Sequence, residues 1–128
     1  AGAPDDAVAA TRQTAMNPIV LDSFALAIVA NGGPPPIAQL GLRLDVDGAQ
    51  RNAASVDRAM RQLRRIVPRA GSYVSESNYF NRRWQSAFWG KNYSRLRAIK
   101  SRYDPTGLFY VHHGVGSELW REGGFEPA

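Results

Sequence analysis

Apolar positions in this chain fall into runs of different period. From Asn17 to Ala30 nearly every side of the segment is apolar: Ile19, Val20, Leu21, Phe24, Leu26, Ile28 and Val29. Asn17-Pro18 reads as a helix N-cap followed by proline at the first helical position, where its missing N–H costs nothing. The run predicts a helix over 18–30, buried between layers because it is apolar all round. Asn31-Gly32-Gly33 tolerates positive φ at its end, and Pro34-Pro35-Pro36 blocks its continuation. A buried strand is the alternative, since periodicity alone does not separate the two.

The next run alternates. Leu40, Leu42, Leu44 and Val46 share one face, while Gly41, Arg43 and Asp45 take the other, which predicts a half-buried strand over 40–46. Asp47-Gly48 reads as a turn. Ser55 can cap a helix over 56–67 with Val56, Ala59, Met60, Leu63 and Val67 on one stripe and Pro68 closing it. Residues 71–76 read as extended. Trp84 and Phe88, four apart, share a helical face that Gly90 ends. Tyr93, Leu96, Ile99 and Tyr103 mark a second helix from Asn92. Asp104-Pro105-Thr106-Gly107 has the chemistry of a type I turn, and 108–111 reads as a strand. The order implies an α+β layer whose short strands leave a sheet edge and whose apolar helix needs a second layer from outside the chain.

Composition narrows this reading. At 128 residues the chain has room for one compact domain, and 44% hydrophobic with 21% charged residues sets it apart from a disordered tail. The apolar run 19–30 is interrupted by Asp22 and Ser23, too short and too polar for a bilayer span. There is no cysteine, which removes thiolate catalysis and Cys-based zinc sites but does not fix a compartment. The first residues, Ala1-Gly2-Ala3-Pro4, carry no initiator methionine and no signal-peptide pattern, which points to cleavage from something longer. Net charge is +5, with much of the excess between Arg51 and Arg69. That opens a reading as a small basic nucleic-acid-binding module. No binding motif supports it, and no aromatics interleave those arginines, which fit the solvated face of an amphipathic helix. His112-His113 suggests no metal site, because neighbours on a strand point to opposite faces and no carboxylate clusters with them.

Residues 71–120 carry an ordered series: Gly71-Ser72-Tyr73-Val74-Ser75-Glu76, Phe88-Trp89-Gly90-Lys91-Asn92-Tyr93, Arg95-Leu96, Tyr103-Asp104-Pro105, Gly107-Leu108-Phe109 and Gly114-Val115-Gly116-Ser117-Glu118. This series resembles the C-terminal module of berberine-bridge-type flavin oxidases in the vanillyl-alcohol-oxidase superfamily. Thr14 to Ala30 resembles, less specifically, a substrate-domain element of a microbial branch.

The resemblance implies a divided enzyme. Residues 1–70 would end an antiparallel-sheet substrate domain with flanking helices, and 71–128 would form the C-terminal module, its tail packing on a flavin-binding domain. FAD would be bound mainly by another, obligate chain. The implied chemistry is hydride transfer from an alcohol or amine carbon of a small-molecule substrate to flavin, with a base removing a proton. A non-catalytic structural subunit of such an enzyme is the alternative.

The resemblance also assigns roles. The family's strand beside the flavin reads Tyr-x-Asn-Tyr, and Tyr73-Val74-Ser75-Glu76 stands in its place. Ser75 replaces the amide and Glu76 replaces the second Tyr, which acts as a base in some members. Glu76 is thus the candidate base, with an arginine-paired structural carboxylate as the alternative. Tyr73 and Ser75 are candidate flavin contacts, although strand alternation would set Tyr73 and Ser75 opposite Val74 and Glu76. Asn92 and Tyr93 are candidates near the domain junction, with helix capping the alternative for Asn92.

Overall fold

The computed structural model describes residues 2–33, 37, 41, 43, 45–121, 124 and 126–128. The chain divides into two units, Ala1–Ser23 with Gly71–Ala128, and Phe24–Ala70.

The first unit is built from short helices. Helix α1, Asp5–Thr11, opens with Asp5 and Asp6, whose charges suit the positive end of the helix. Asn17 then performs the predicted capping role. Its Oδ1 accepts from Ile19 N at 3.2 Å, and Pro18 follows in the first turn. Its Nδ2 donates to Ala87 O at 2.9 Å, which ties the N-terminal segment to α3, Trp84–Trp89. Gly90 ends α3 with φ of 53°, as expected. A Cβ there would lie 2.4 Å from Asn17 Oδ1, so the stop and the cap need each other. Helix α4, Tyr93–Tyr103, also follows the sequence reading. Beyond it Gly107 N donates to Asp104 O at 3.2 Å, closing the expected turn. Among the described residues, Trp84 and Phe88, 7% and 5% exposed, are the buried large apolar residues.

The predicted helix over 18–30 is corrected. Only Pro18–Asp22 coils, as a 3-10 turn, and residues 25–33 continue with no helix, turn or bend. The reason is local. Ser23 Oγ donates to Ile19 O at 2.8 Å, capturing the carbonyl that an α-helix would give to the N–H of residue 23. Ser23 leaves the turn with φ −95° and ψ 137°.

In the second unit, α2 spans Val46–Ile66 and begins well before the expected Ser55. Asp45 is the working cap, its Oδ1 accepting from Gly48 N at 2.8 Å. Asp47-Gly48 is therefore the first turn of a helix, and Asp47 favours its positive end. Ser55 sits inside α2 with Oγ donating to Asn52 O at 2.8 Å. Asn52, Ser55, Val56, Ala59, Met60 and Leu63 form a half-buried stripe at helical spacing, and Arg58, Arg61, Arg64 and Arg65 are exposed.

The antiparallel sheet is overturned. Among the described residues the chain is helical, and the strand-like pairing is an isolated bridge between Trp120 and Pro127. Of the expected strand at 40–46, Leu40, Leu42 and Leu44 lie outside the described residues, and Val46 opens α2. At 71–76 the chain turns into a 3-10 element at Val74–Glu76. At 108–111, Leu108 N and Phe109 N donate to the Asp104 carboxylate, and Phe109 O accepts from Lys100. A strand needs a neighbour's N–H and C=O, and here side chains have taken those groups.

Candidate functional site

The segment carrying Tyr73, Ser75 and Glu76 is rooted at its start. Ser72 N donates to Ala87 O at 2.9 Å. A Cβ on Gly71 would lie 2.7 Å from Ile19 Cγ2, so only glycine fits beside the 3-10 turn at 18–22. Tyr73 is extended, and the chain then coils through Val74–Glu76 with Glu76 N donating to Tyr73 O at 3.3 Å.

The coil changes the geometry expected of a strand. Side chains recur every three residues in a 3-10 turn, which puts Glu76 one turn on from Tyr73 with Ser75 off that line. Tyr73 is 53% exposed, and Ser75 and Glu76 are exposed as well. Among the described residues their three side chains make no hydrogen bond within the chain, and Glu76 pairs with no arginine. The site is a firmly rooted turn presenting a phenol, a hydroxyl and a carboxylate to solvent.

Asn92 and Tyr93 occupy a different cluster, at the head of α4. Asn92 is 7% exposed. Its side chain does not cap α4. Instead Nδ2 lies 3.0 Å from each of the Arg12, Thr14 and Met16 carbonyls. Arg95 joins it, donating to Gln13 O at 2.5 Å and Thr14 O at 2.9 Å. Tyr93 donates its phenol proton to Glu118 Oε2 at 2.5 Å and accepts from Gly116 N at 3.2 Å. Burial, and then the Glu118 bond, push the Tyr93 hydroxyl up to about 12. Arg97 Nε lies 3.5 Å from the other Glu118 oxygen.

The two histidines differ from expectation. Residues 111–116 turn rather than extend, with His113 at φ 60°. The imidazoles therefore lie together, centroids 3.8 Å apart, instead of on opposite faces. Tyr79 stacks on His112 at 3.9 Å, and Trp84 on His113 at 5.3 Å. His112 Nε2 is 2.9 Å from Tyr79 O, and a carbonyl only accepts, so this nitrogen carries a proton. Burial, and then His112, lower the His113 pKa. Among the described residues no group of three His, Asp or Glu side chains is placed to hold a metal. The histidines share an open cleft of about 300 Å³ with Trp84, Tyr110, Ser117, Glu118 and Trp120.

Sequence reasoning missed the Asn92 gathering of three carbonyls, the Tyr93–Glu118–Arg97 group and the stacked histidines. Their partners are up to eighty residues away, and no local spacing encodes them.

Comparison with known proteins bears on the same stretch. Residues 58–116 match the family described as berberine and berberine like. An FAD-linked oxidoreductase of Aspergillus versicolor is 40% identical over 88 residues, covering 69% of this chain and 14% of its own length. A VAO-type flavoprotein oxidase of Thermothelomyces thermophilus is 33% identical over 120 residues, covering 83% of this chain and 21% of its own. The chain belongs to the berberine-like family. An uncharacterized FAD-linked oxidoreductase of Arthroderma benhamiae is 45% identical over 62 residues, 48% of this chain and 10% of its own. The berberine-like chain thus spans between a tenth and about a fifth of the length of these relatives. No solved structure matches it. Tyr73, Ser75, Glu76, Asn92 and Tyr93 all lie within the family-matched residues.

Proposed function

We propose that this chain forms part of the substrate side of an FAD-dependent oxidoreductase that oxidises an alcohol or amine carbon, with FAD held mainly by a separate, obligate FAD-binding chain. One observation carries the reading: Tyr73, Ser75 and Glu76 stand exposed on a rooted turn with no side-chain partner among the described residues. That donor set fits the polar edge of a flavin ring and a substrate hydroxyl or amine beside it. FAD, when bound, would supply the acceptor for the hydride that leaves the substrate carbon. Glu76 takes the proton from the substrate hydroxyl or amine. Tyr73 and Ser75 would hold the ring edge through their hydroxyls. Asn92 and Tyr93 would act from the head of α4, where the Arg12, Thr14 and Met16 carbonyls and Glu118 position them.

The partner requirement is supported by apolar side chains left in water: Phe24 is 100%, Leu26 68% and Ile28 63% exposed. Expressed alone, the chain should aggregate or bind hydrophobic dyes. A monodisperse monomer with a sharp melt would count against an obligate partner.

The decisive test is anaerobic stopped-flow reduction of the flavin-loaded assembly. Glu76→Gln keeps the shape but cannot accept a proton, and reduction should slow by roughly 10²–10⁴-fold with the flavin spectrum unchanged. A Gln variant that reduces at the wild-type rate removes Glu76 from the mechanism. That outcome favours a structural role for the chain.

A further inference from the structure

Both ends of the segment that carries Tyr73, Ser75 and Glu76 are tied to one short helix. At its start, Ser72 N donates to Ala87 O, inside α3, at 2.9 Å. At its far end the tie is indirect. His112 Nε2 donates to Tyr79 O at 2.9 Å, and the Tyr79 ring lies on the His112 ring at 3.9 Å with 10° between their planes. His112 lies against His113, centroids 3.8 Å apart, and His113 stacks on Trp84 at 5.3 Å and 17°. Phe88 meets His113 from the next turn of α3, at 6.2 Å. Four rings thus run from the buried face of α3 out to the Tyr79 backbone.

The pile depends on a backbone kink. His113 takes φ 60°, a left-handed conformation that a residue with a Cβ adopts only at a cost, and this sets two consecutive imidazoles side by side. Within the segment itself the bonds are short-range: Ser72 Oγ to Ser77 Oγ at 3.2 Å, Glu76 N to Tyr73 O at 3.3 Å, and Asn81 N to Asn78 O at 3.1 Å. Bonds of that range shape the coil. Placing the coil against α3 takes a tie to another element, and His112 supplies one from 33 residues away.

We infer that His112 is a positioning residue for Glu76: by donating to the Tyr79 carbonyl it closes the segment 72–79 onto α3 and so holds the carboxylate in place. Its catalytic weight rests on the proposed function above, whereas the tie itself does not. A base acts only within hydrogen-bond reach of the proton it takes, and a displacement of about 1 Å costs roughly 10²-fold in rate. His112 exerts this without touching substrate or flavin. The carbonyl asks for a donor and not for a charge, so a neutral donor of the same reach can replace the imidazole.

The test uses the flavin-loaded enzyme from its own gene. His112→Phe keeps a flat ring against Tyr79 and removes the donor, while His112→Gln restores an N–H at similar reach. Amide exchange across 72–81 should quicken by roughly two- to tenfold in the Phe variant, the worth of one hydrogen bond, and return to near wild type in the Gln variant. Exchange across 84–89 and 93–103 should be unchanged in both. For the rate, primary alcohols and amines are screened, and the one that bleaches the wild-type flavin fastest serves as the probe. The limiting rate of anaerobic reduction should fall roughly 10–10²-fold in His112→Phe, with the half-saturating concentration nearly unchanged, and recover in His112→Gln. Added to Glu76→Gln, His112→Phe should cost less than about twofold more, because the two act through one carboxylate. Wild-type exchange across 72–81 in the Phe variant overturns the tie and leaves the proposed function standing. Faster exchange with an unchanged limiting rate overturns the positioning role, as does a full further loss on the Glu76→Gln background. A flavin that none of the compounds bleaches counts against the proposed function, while exchange still decides the tie.

Discussion

The two units of this chain are held together by different means. In Ala1–Ser23 with Gly71–Ala128, polar side chains reach across the sequence to main-chain groups: Asn17 to Ser86 and Ala87, Asn92 to three carbonyls, Arg95 to two. In Phe24–Ala70, the 21-residue α2 forms from local rules, with a cap at Asp45 and a half-buried stripe from Asn52 to Leu63. Beside it, Asn31 Nδ2 donates to Ser55 Oγ at 3.3 Å. The first unit is specified by long-range hydrogen bonds to a few buried groups, and the second by propensity and amphipathic pattern. The contrast suits the proposed roles, since a site presenting Tyr73, Ser75 and Glu76 needs a fixed base. A region awaiting a partner needs only a formed helix.

The largest test of the comparison is Asn92→Ala. It strips a shared donor from the Arg12, Thr14 and Met16 carbonyls, and leaving such groups unpaired costs about 1–3 kcal/mol. Amide exchange by mass spectrometry on the assembled enzyme should speed up across 12–18, while 50–62 in α2 keeps its protection. Equal loss of protection in α2 would show that the two units do not hold separately.

The reciprocal test is smaller. Asp45→Ala removes the α2 cap and should cost about 1 kcal/mol, the usual value of an N-cap. Faster exchange should be confined to the first turns of α2, with 93–103 unaffected. Spread of the effect into α4 would break the comparison from the other side.

Smallest is the pH dependence, which sharpens rather than breaks the contrast. Folding raises the Tyr93 pKa to about 12, so its contribution is fully present below pH 10, the ordinary tyrosine value, and is lost as pH rises toward about 12. Difference absorbance between wild type and Tyr93→Phe should show one phenol titrating late. The Asp104 shift, set first by its Lys100 partner, has the opposite sense: a lowered pKa contributes stability above roughly pH 3.9, lost as pH falls through the native value. Acid should therefore loosen 104–109 as pH falls through the native Asp104 value. A Tyr93 phenol titrating near 10 would remove the Glu118 group from the unit's framework.

Legibility followed the range of the interactions. The Asn17-Pro18 cap, the Gly90 stop, α4 and the Asp104-Pro105-Thr106-Gly107 turn were readable because cause and effect lie within a few residues. The helix over 18–30 and the strand over 108–111 were misread because Ser23, Asp104 and Lys100 divert backbone groups that periodicity assigns to regular structure. Of the candidate site, the order of residues at 73–76 was legible and its coil was not. A 3-10 turn and a short strand share composition, and the root at Ala87 is supplied from α3.

By itself, then, the sequence determined the Asn17 cap, the Gly90 stop and the identity of the side chains at 73–76, since these depend on residue chemistry and short spacings. Tertiary structure decided that Asn92 gathers carbonyls instead of capping a helix, that His112 and His113 lie side by side under Tyr79 and Trp84, and that Leu108 and Phe109 stand out on a clamped backbone. The physical reason is that a hydrogen-bonding side chain takes whichever partner folding brings within about 3 Å, and only the folded chain sets that distance.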